Sequence, residues 1–115
     1  MFAFLYGLKS ILPTVLQASL PGGSVTVFDL NARERWETAH VPGALHLAID
    51  FTRTDLPADP LVPLVFYCSN PLYRKAPIAA RRARQMGFND VKVMSEGIVG
   101  WLAAGMGTDA AGGRA

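Results

Sequence analysis

Cysteine is almost absent from this chain of 115 residues, because Cys68 is the only one. A single cysteine excludes an intramolecular disulfide, and together with His40 and His46 it supplies too few ligands for a zinc site. We therefore expect no bound metal and no cofactor. Since nothing marks an oxidising compartment, the sequence favours a cytoplasmic protein.

A strong net charge and a long apolar run are also missing. The net charge is +2, and much of the basic excess lies in Arg81, Arg82 and Arg84, spaced along a predicted helix without an aromatic platform beside them. This pattern is typical of a solvated helix face and indicates no nucleic-acid partner. The apolar first eight residues are followed by Lys9 and are too short for a membrane span, so we expect none.

The length fits one domain, which the composition divides into three parts. Residues 1–20 are expected to form an amphipathic helix that belongs to the domain, with Pro13 kinking it or starting a second helix. Its apolar face could instead contact a partner or a second copy in a homodimer. Residues 21–105 form the main domain, and residues 106–115, rich in glycine and alanine, are expected to be a flexible tail.

Strands and helices alternate along the main domain. Strands are predicted at residues 25–30, 61–67 and 91–94, short helical turns or loops at 31–38 and 50–60, and helices at 74–88 and around 98–104. Pro63 removes a ladder donor, which favours a start of the second strand after it. This order predicts an α/β fold with a mostly parallel sheet.

Cys68 follows the second predicted strand and precedes the polar loop 69–74 and a helix with Pro77 in its first turn. Such a loop can turn its N–H groups inward, and the helix dipole adds to the preference for an anion there. Next to Arg74 and Lys75, the pKa of a thiol can fall from about 8.5 to roughly 3.5–7.5. The placement predicts a nucleophilic thiolate at Cys68.

Two other polar residues are expected to have structural roles near this site. Asp29 ends the first predicted strand, where a buried carboxylate needs partners such as backbone N–H groups or Arg33. His40 is expected to fix a turn by hydrogen bonds and not to transfer protons. Tyr73 is expected either to pack the loop or to cover the substrate, and Trp36 and Trp101 are expected in the core.

Several segments together resemble the rhodanese-like family. Residues 27–30, Trp36 and residues 39–44 resemble, in order and spacing, its D-x-R … E-[YF] … G-H-I-P-G-A stretch. Residues 66–68 resemble the strand into its active-site cysteine, and residues 96–101 resemble its closing G-G-x-x-x-W segment, with Glu96 in place of the first glycine. The resemblance covers about residues 25–105 and implies a three-layer α/β sandwich, with helices on both faces of a mostly parallel sheet.

The resemblance also implies a sulfurtransferase. Cys68 would take a sulfane sulfur from a small donor such as thiosulfate or from a protein persulfide, hold it as a persulfide and pass it to a thiol acceptor, without a cofactor. Backbone N–H groups of the loop would stabilise the anionic persulfide, although Pro71 has no N–H to contribute. The expected substrate-binding residues are Ser69, Asn70, Leu72, Tyr73, Arg74 and Lys75.

The loop departs from the usual family pattern. Five residues separate Cys68 from Arg74, a spacing that resembles the larger-loop phosphatase and arsenate-reductase relatives, although Tyr67 stands where those relatives usually carry histidine. Lys75 stands where a hydroxyl residue often follows. A phosphatase or arsenate reductase is therefore the main alternative, and a non-enzymatic binding module is another, although such modules usually lack the cysteine.

A second departure concerns an ion pair that the resemblance implies. Asn31 stands where the family often has arginine, and Arg35 stands where it often has glutamate. The pair is therefore either absent or rebuilt through Glu34.

Overall fold

Five parallel strands form the sheet that carries the site. The computed structural model describes residues 7–111 and the backbone of residues 113–114. The strand order is β1–β5–β4–β2–β3, and each neighbouring pair is parallel. The bounds are β1 Lys9–Ser10, β2 Thr26–Asp29, β3 Leu45–His46, β4 Leu64–Tyr67 and β5 Val91–Val93.

Helices cover both faces of this sheet. They are α1 Pro13–Ser19, α2 Arg33–Thr38, α3 Lys75–Gln85 and α4 Gly97–Ala103, with a short 3-10 helix at Arg53–Asp55. Residues of β4 point alternately to the two sides, so that Phe66 packs in a core with the alanines of α3, whereas Val65 and Tyr67 pack with Leu16 of α1 and Trp101 of α4. The predicted three-layer α/β architecture is confirmed.

Local sequence signals set the ends of the elements next to the site. The strand β4 begins directly after Pro63, as predicted, and all four of its residues are buried. The helix α3 carries Pro77 in its first turn, where a missing N–H costs little. It ends before Gly87, whose φ of +107° suits glycine.

The N-terminal segment differs from the predicted amphipathic helix. Residues 1–6 lie outside the described residues, and residues 9–10 form β1, which pairs with β5. The N–H of Ile11 also donates to Val93 O at 3.0 Å. These backbone bonds to the sheet edge override the helical spacing of the apolar residues. A helix does begin at Pro13, one of the two outcomes expected for that proline, but it has seven residues.

The segment predicted to be a flexible tail has defined structure over residues 106–111. Strand β6, Asp109–Ala110, pairs with β7, Gly113–Arg114, and His40 exchanges two backbone hydrogen bonds with Asp109, each 2.9 Å long. Trp101 Nε1 donates to Gly107 O at 2.8 Å. The glycine- and alanine-rich sequence of this segment has no hydrophobic periodicity that would predict its structure, because hydrogen bonds to backbone groups hold it in place. No helix of the described residues has the length and hydropathy to cross a membrane.

Candidate active site

Cys68 lies at the carboxyl end of the central strand β4 and is 5% exposed. Its Sγ donates a hydrogen bond to Tyr73 O at 3.6 Å. The first turn of α4 fixes the start of the loop, because Ile98 N donates to Cys68 O at 2.9 Å and Val99 N donates to Ser69 O at 3.0 Å. The residue predicted from the sequence to be the nucleophile therefore lies next to the first turn of α4.

Gly97 allows α4 to approach the cysteine this closely. Its φ is +67°, and a Cβ at this position would lie 2.4 Å from the carbonyl carbon and oxygen of Ser69. Only glycine fits both the left-handed backbone and the backbone contact. This residue is the second glycine position of the G-G-x-x-x-W resemblance.

The interior of the loop is organised around Asn70. Leu72 N donates to Asn70 Oδ1 at 2.8 Å, and Tyr73 N donates to Asn70 O at 3.2 Å. Pro71 has no N–H. The expected ring of inward N–H groups is thus wrong for Leu72 and Tyr73, because the asparagine forms a local turn that uses both donors.

The thiol of Cys68 is harder to ionise than the sequence suggested. Burial raises its pKa, and this effect outweighs the hydrogen bonds from the N–H groups of Ala76 and Ser69, which lower it. Asp29 raises the pKa further, and Lys75 lowers it by a smaller effect. The predicted depression of the pKa is wrong for this conformation, because the folded loop removes the sulfur from water.

A cleft of about 230 Å³ opens beside the cysteine. Among the predicted binding residues, Ser69, Tyr73 and Lys75 line it, and Arg35 joins them from α2. A second cavity, of about 10 Å³, is lined by Cys68, Asn70, Pro71, Tyr73, Ala76, Pro77, Val93, Met94 and Ser95. Leu72 and Arg74 line neither cavity and are exposed, Leu72 to 77%. The sequence did not identify Arg35 as a residue of the site.

A buried polar network joins β2 and β4 beneath the site. Asp29 is fully buried, its Oδ1 accepts from Asn31 N at 2.7 Å, and its Oδ2 accepts from the Tyr67 hydroxyl at 2.6 Å. The Tyr67 oxygen in turn accepts from Val41 N at 3.0 Å. Burial and the neighbouring carboxylate raise the pKa of Tyr67 far above its usual range. Asp29 thus bonds to the backbone, as expected, and to Tyr67, whereas Arg33 lies over the Trp36 ring.

Replacing Tyr67 with phenylalanine is expected to lower the free energy of unfolding by about 2–4 kcal/mol. The change removes a hydrogen bond to a buried carboxylate and leaves Val41 N without its acceptor. Denaturant unfolding measures the effect. The matched control is Tyr73→Phe, where the side chain is 53% exposed and little change is expected. Equal losses in the two variants would contradict this account.

The ion pair expected from the resemblance is replaced by hydrogen bonds through the Ser69 hydroxyl. Ser69 Oγ donates to Asn31 Oδ1 at 2.5 Å, and Arg35 Nη1 donates to Ser69 Oγ at 3.5 Å. The two altered family positions are therefore joined through a loop hydroxyl and not through Glu34. These hydrogen bonds tie α2 to the residue that follows the nucleophile.

His40 and the two tryptophans form contacts away from the sulfur. The His40 ring hydrogen-bonds to Trp36 O through Nδ1 at 2.5 Å and stacks on the Trp36 ring, with 4.5 Å between the ring centroids. Trp36 is half-buried, and its Nε1 donates to Ala44 O at 2.9 Å. Trp101 is fully buried, as expected for a core residue. Neither cavity beside Cys68 is lined by His40.

Comparison with known proteins identifies the family. The model of the rhodanese-like domain matches residues 12–104. The chain belongs to the rhodanese-like domain family. This rhodanese-like domain is 34% identical over 93 residues to an HTH-type transcriptional regulator of Mycobacterium tuberculosis, and the match covers 76% of this chain and 38% of the regulator. The chain thus spans less than half of that relative's length.

Solved structures show the same fold at lower identity. A thiosulfate sulfurtransferase from Pseudomonas aeruginosa has a TM-score of 0.80 and 24% identity, over 90% of this chain and 19% of that chain. A protein of unknown function from Rhodopseudomonas palustris, described as a possible tyrosine phosphatase, has a TM-score of 0.69 and 21% identity, over 89% of this chain and 85% of that chain. The rhodanese-like fold expected from the sequence is therefore confirmed.

Proposed function

We propose that this rhodanese-like domain is a sulfurtransferase that carries sulfane sulfur as a persulfide on Cys68. The observation that carries the proposal is the position of Cys68 directly after β4, where it lines the cleft together with Arg35, Ser69 and Lys75. The N–H groups of Ser69 and Ala76 lower the pKa of its thiol, and with the start of α3 they can stabilise negative charge on a sulfur atom. A sulfurtransferase of the same fold is consistent with this reading.

The reaction balances as two displacements at sulfur. The thiol of Cys68 first loses its proton to solvent, and the thiolate attacks the outer sulfur of thiosulfate. A sulfur–sulfur bond forms on Cys68, the sulfur–sulfur bond of the donor breaks, and sulfite leaves with its electron pair. In the second step an acceptor thiolate attacks the outer sulfur of the persulfide, so that the acceptor becomes the persulfide and Cys68 returns as a thiolate.

The cleft favours an anionic sulfur donor. Arg35 and Lys75 both line it, and its volume of about 230 Å³ fits a small molecule or the end of a side chain. A guanidinium and an ammonium group beside the nucleophile would attract thiosulfate or an ionised persulfide. The exposed side chains of Leu72 and Tyr73 would also allow a protein persulfide to approach. We also propose action in the cytoplasm, because a chain with a single cysteine has no intramolecular disulfide that would suit an oxidising compartment.

A phosphatase is the second candidate, and one observation favours it. The five-residue spacing between Cys68 and Arg74 resembles that of the larger-loop relatives, and one structural neighbour is described as a possible tyrosine phosphatase. Binding of a phosphate or arsenate oxyanion requires several convergent N–H donors. Leu72 and Tyr73 direct theirs to Asn70 instead, so this loop gives sulfur transfer more support.

The mass of the intact protein tests the proposal. After incubation with thiosulfate and removal of the donor, we expect a gain of one sulfur atom, located on Cys68 by peptide mapping. Addition of a thiol acceptor should remove it. A phosphate ester assay runs in parallel. Ester hydrolysis without any gain of sulfur would support the phosphatase, and neither activity would indicate a binding module.

A further inference from the structure

Asn70 holds the second half of the loop after Cys68 through its side chain and its backbone carbonyl. Asn70 accepts from Leu72 N through Oδ1 at 2.8 Å and from Tyr73 N through its own carbonyl at 3.2 Å. The amide side chain and the backbone of one residue thus bind the N–H groups of Leu72 and Tyr73. As a result, the carbonyl of Tyr73, and not its N–H, is directed at Cys68 Sγ.

The contact between Cys68 and Tyr73 suits a thiol and opposes an anion. A protonated Sγ donates to Tyr73 O over 3.6 Å. A thiolate or persulfide anion has no proton to donate, and the partial negative charge of the carbonyl oxygen then repels it. The described loop conformation therefore favours the protonated form.

There is also little room on the side of the sulfur that faces β5. The cavity between this part of the loop and β5 has a volume of about 10 Å³, about the space that one water molecule needs. Three loop residues line it, namely Asn70, Pro71 and Tyr73. Substrate can reach the sulfur from this side only when these residues move.

We propose that Asn70 is a positioning residue that holds loop 69–74 in a resting conformation, in which Cys68 is masked as a thiol by Tyr73 O. Opening of the turn from Asn70 to Leu72 frees the N–H groups of Leu72 and Tyr73 to turn toward the sulfur, so that Cys68 ionises more readily and reacts faster with a donor in the cleft. The inference rests on the proposed function, because it concerns how the Cys68 thiol becomes available to take up sulfur. It adds a closed and an open state of the loop to that function.

The charges around Cys68 are separate from this effect. Asp29 from β2 and Lys75 from α3 act on the sulfur directly, Arg35 from α2 reaches the loop through Ser69, and Arg74 is the N-cap residue of α3. Substitution of the neutral Asn70 changes none of these groups. A change in the ionisation of Cys68 in an Asn70 variant would therefore report the loop conformation.

Alkylation of Cys68 by iodoacetamide, measured from pH 6 to pH 10 on the whole chain, tests the proposal. In Asn70→Ala we expect alkylation about three- to tenfold faster at neutral pH, with the midpoint of the pH profile lowered by about 0.5–1 unit, the equivalent of one hydrogen bond. Asn70→Ser should lie between this variant and the unmodified chain, because a serine hydroxyl can accept from the same N–H. Asn89→Ala, at an exposed asparagine before β5, is the matched control.

An unchanged profile in Asn70→Ala would overturn the proposal, and so would a serine variant identical to the alanine variant or a shift of equal size in Asn89→Ala. Equal melting temperatures would show that Asn70→Ala is folded. Iodoacetamide needs no sulfur donor, so failure of the two proposals can be told apart. A shifted profile without sulfur uptake would support the resting loop and reject the sulfurtransferase, and sulfur uptake with an unshifted profile would do the reverse.

Discussion

Replacing Cys68 with serine is expected to abolish sulfur uptake while the fold is preserved. Serine is close in size, and its hydroxyl can still donate to Tyr73 O, so the loop keeps its contact. The hydroxyl cannot form a persulfide, and the variant has no other cysteine to replace it. Intact mass after incubation with thiosulfate measures the loss, and unfolding by heat shows whether the core is intact.

The matched control for this variant is Ser95→Ala, a change in the cavity on the other side of Cys68 that leaves the thiol in place. It should take up sulfur as the unmodified chain does. Sulfur uptake that persists in Cys68→Ser would contradict the assignment of the nucleophile. If the unmodified chain hydrolyses phosphate esters and Cys68→Ser does not, the result would support the phosphatase instead.

Replacing Gly97 with alanine is expected to lower the free energy of unfolding by about 3 kcal/mol or more. The new Cβ would lie 2.4 Å from the carbonyl of Ser69, and the left-handed backbone at φ +67° adds its own cost for alanine. Relief of this clash requires α4 to move away from the loop. The hydrogen bonds from Ile98 and Val99 to the carbonyls of Cys68 and Ser69 would then be lost.

Denaturant unfolding measures this loss, with Gly107→Ala as the matched control. A Cβ at Gly107 meets no atom within 4 Å, so a change below about 1 kcal/mol is expected there. A stable Gly97→Ala variant with an unchanged rate of Cys68 alkylation would show that the contact between α4 and the loop does not position the nucleophile.

The elements around the site could be predicted because local chemistry determines them. Pro63 directs the start of β4 and Gly87 the end of α3, and the apolar run between residue 64 and residue 67 indicates a strand that is buried on both faces. The order of strands and helices then leaves a parallel sheet as the simplest arrangement, with Cys68 at its carboxyl edge. The motifs around His40 and Gly97 gave the family.

The details that sequence reasoning missed depend on distant contacts. Strand β1 exists because β5 offers an edge to pair with, and the two residues that form it carry no apolar pattern. The raised pKa of Cys68 follows from how the loop folds over the sulfur, which the polarity of its residues does not indicate. The role of Tyr67 follows from a partner 38 residues away, Asp29, although a tyrosine in an otherwise apolar strand is a usable signal.

The bonds from α4 to the cysteine loop can form only late in biosynthesis, because α4 follows Cys68 in the chain. A ribosome makes β4 and Cys68 before it makes β5 and α4, so the newly made thiol at first has neither the neighbouring strand nor the helix that fixes its carbonyl. During that interval Cys68 lacks the contacts that bury it in the folded chain. Burial of this sulfur is therefore among the last results of folding, and any slow step in the docking of α4 would prolong the exposure of the nascent chain.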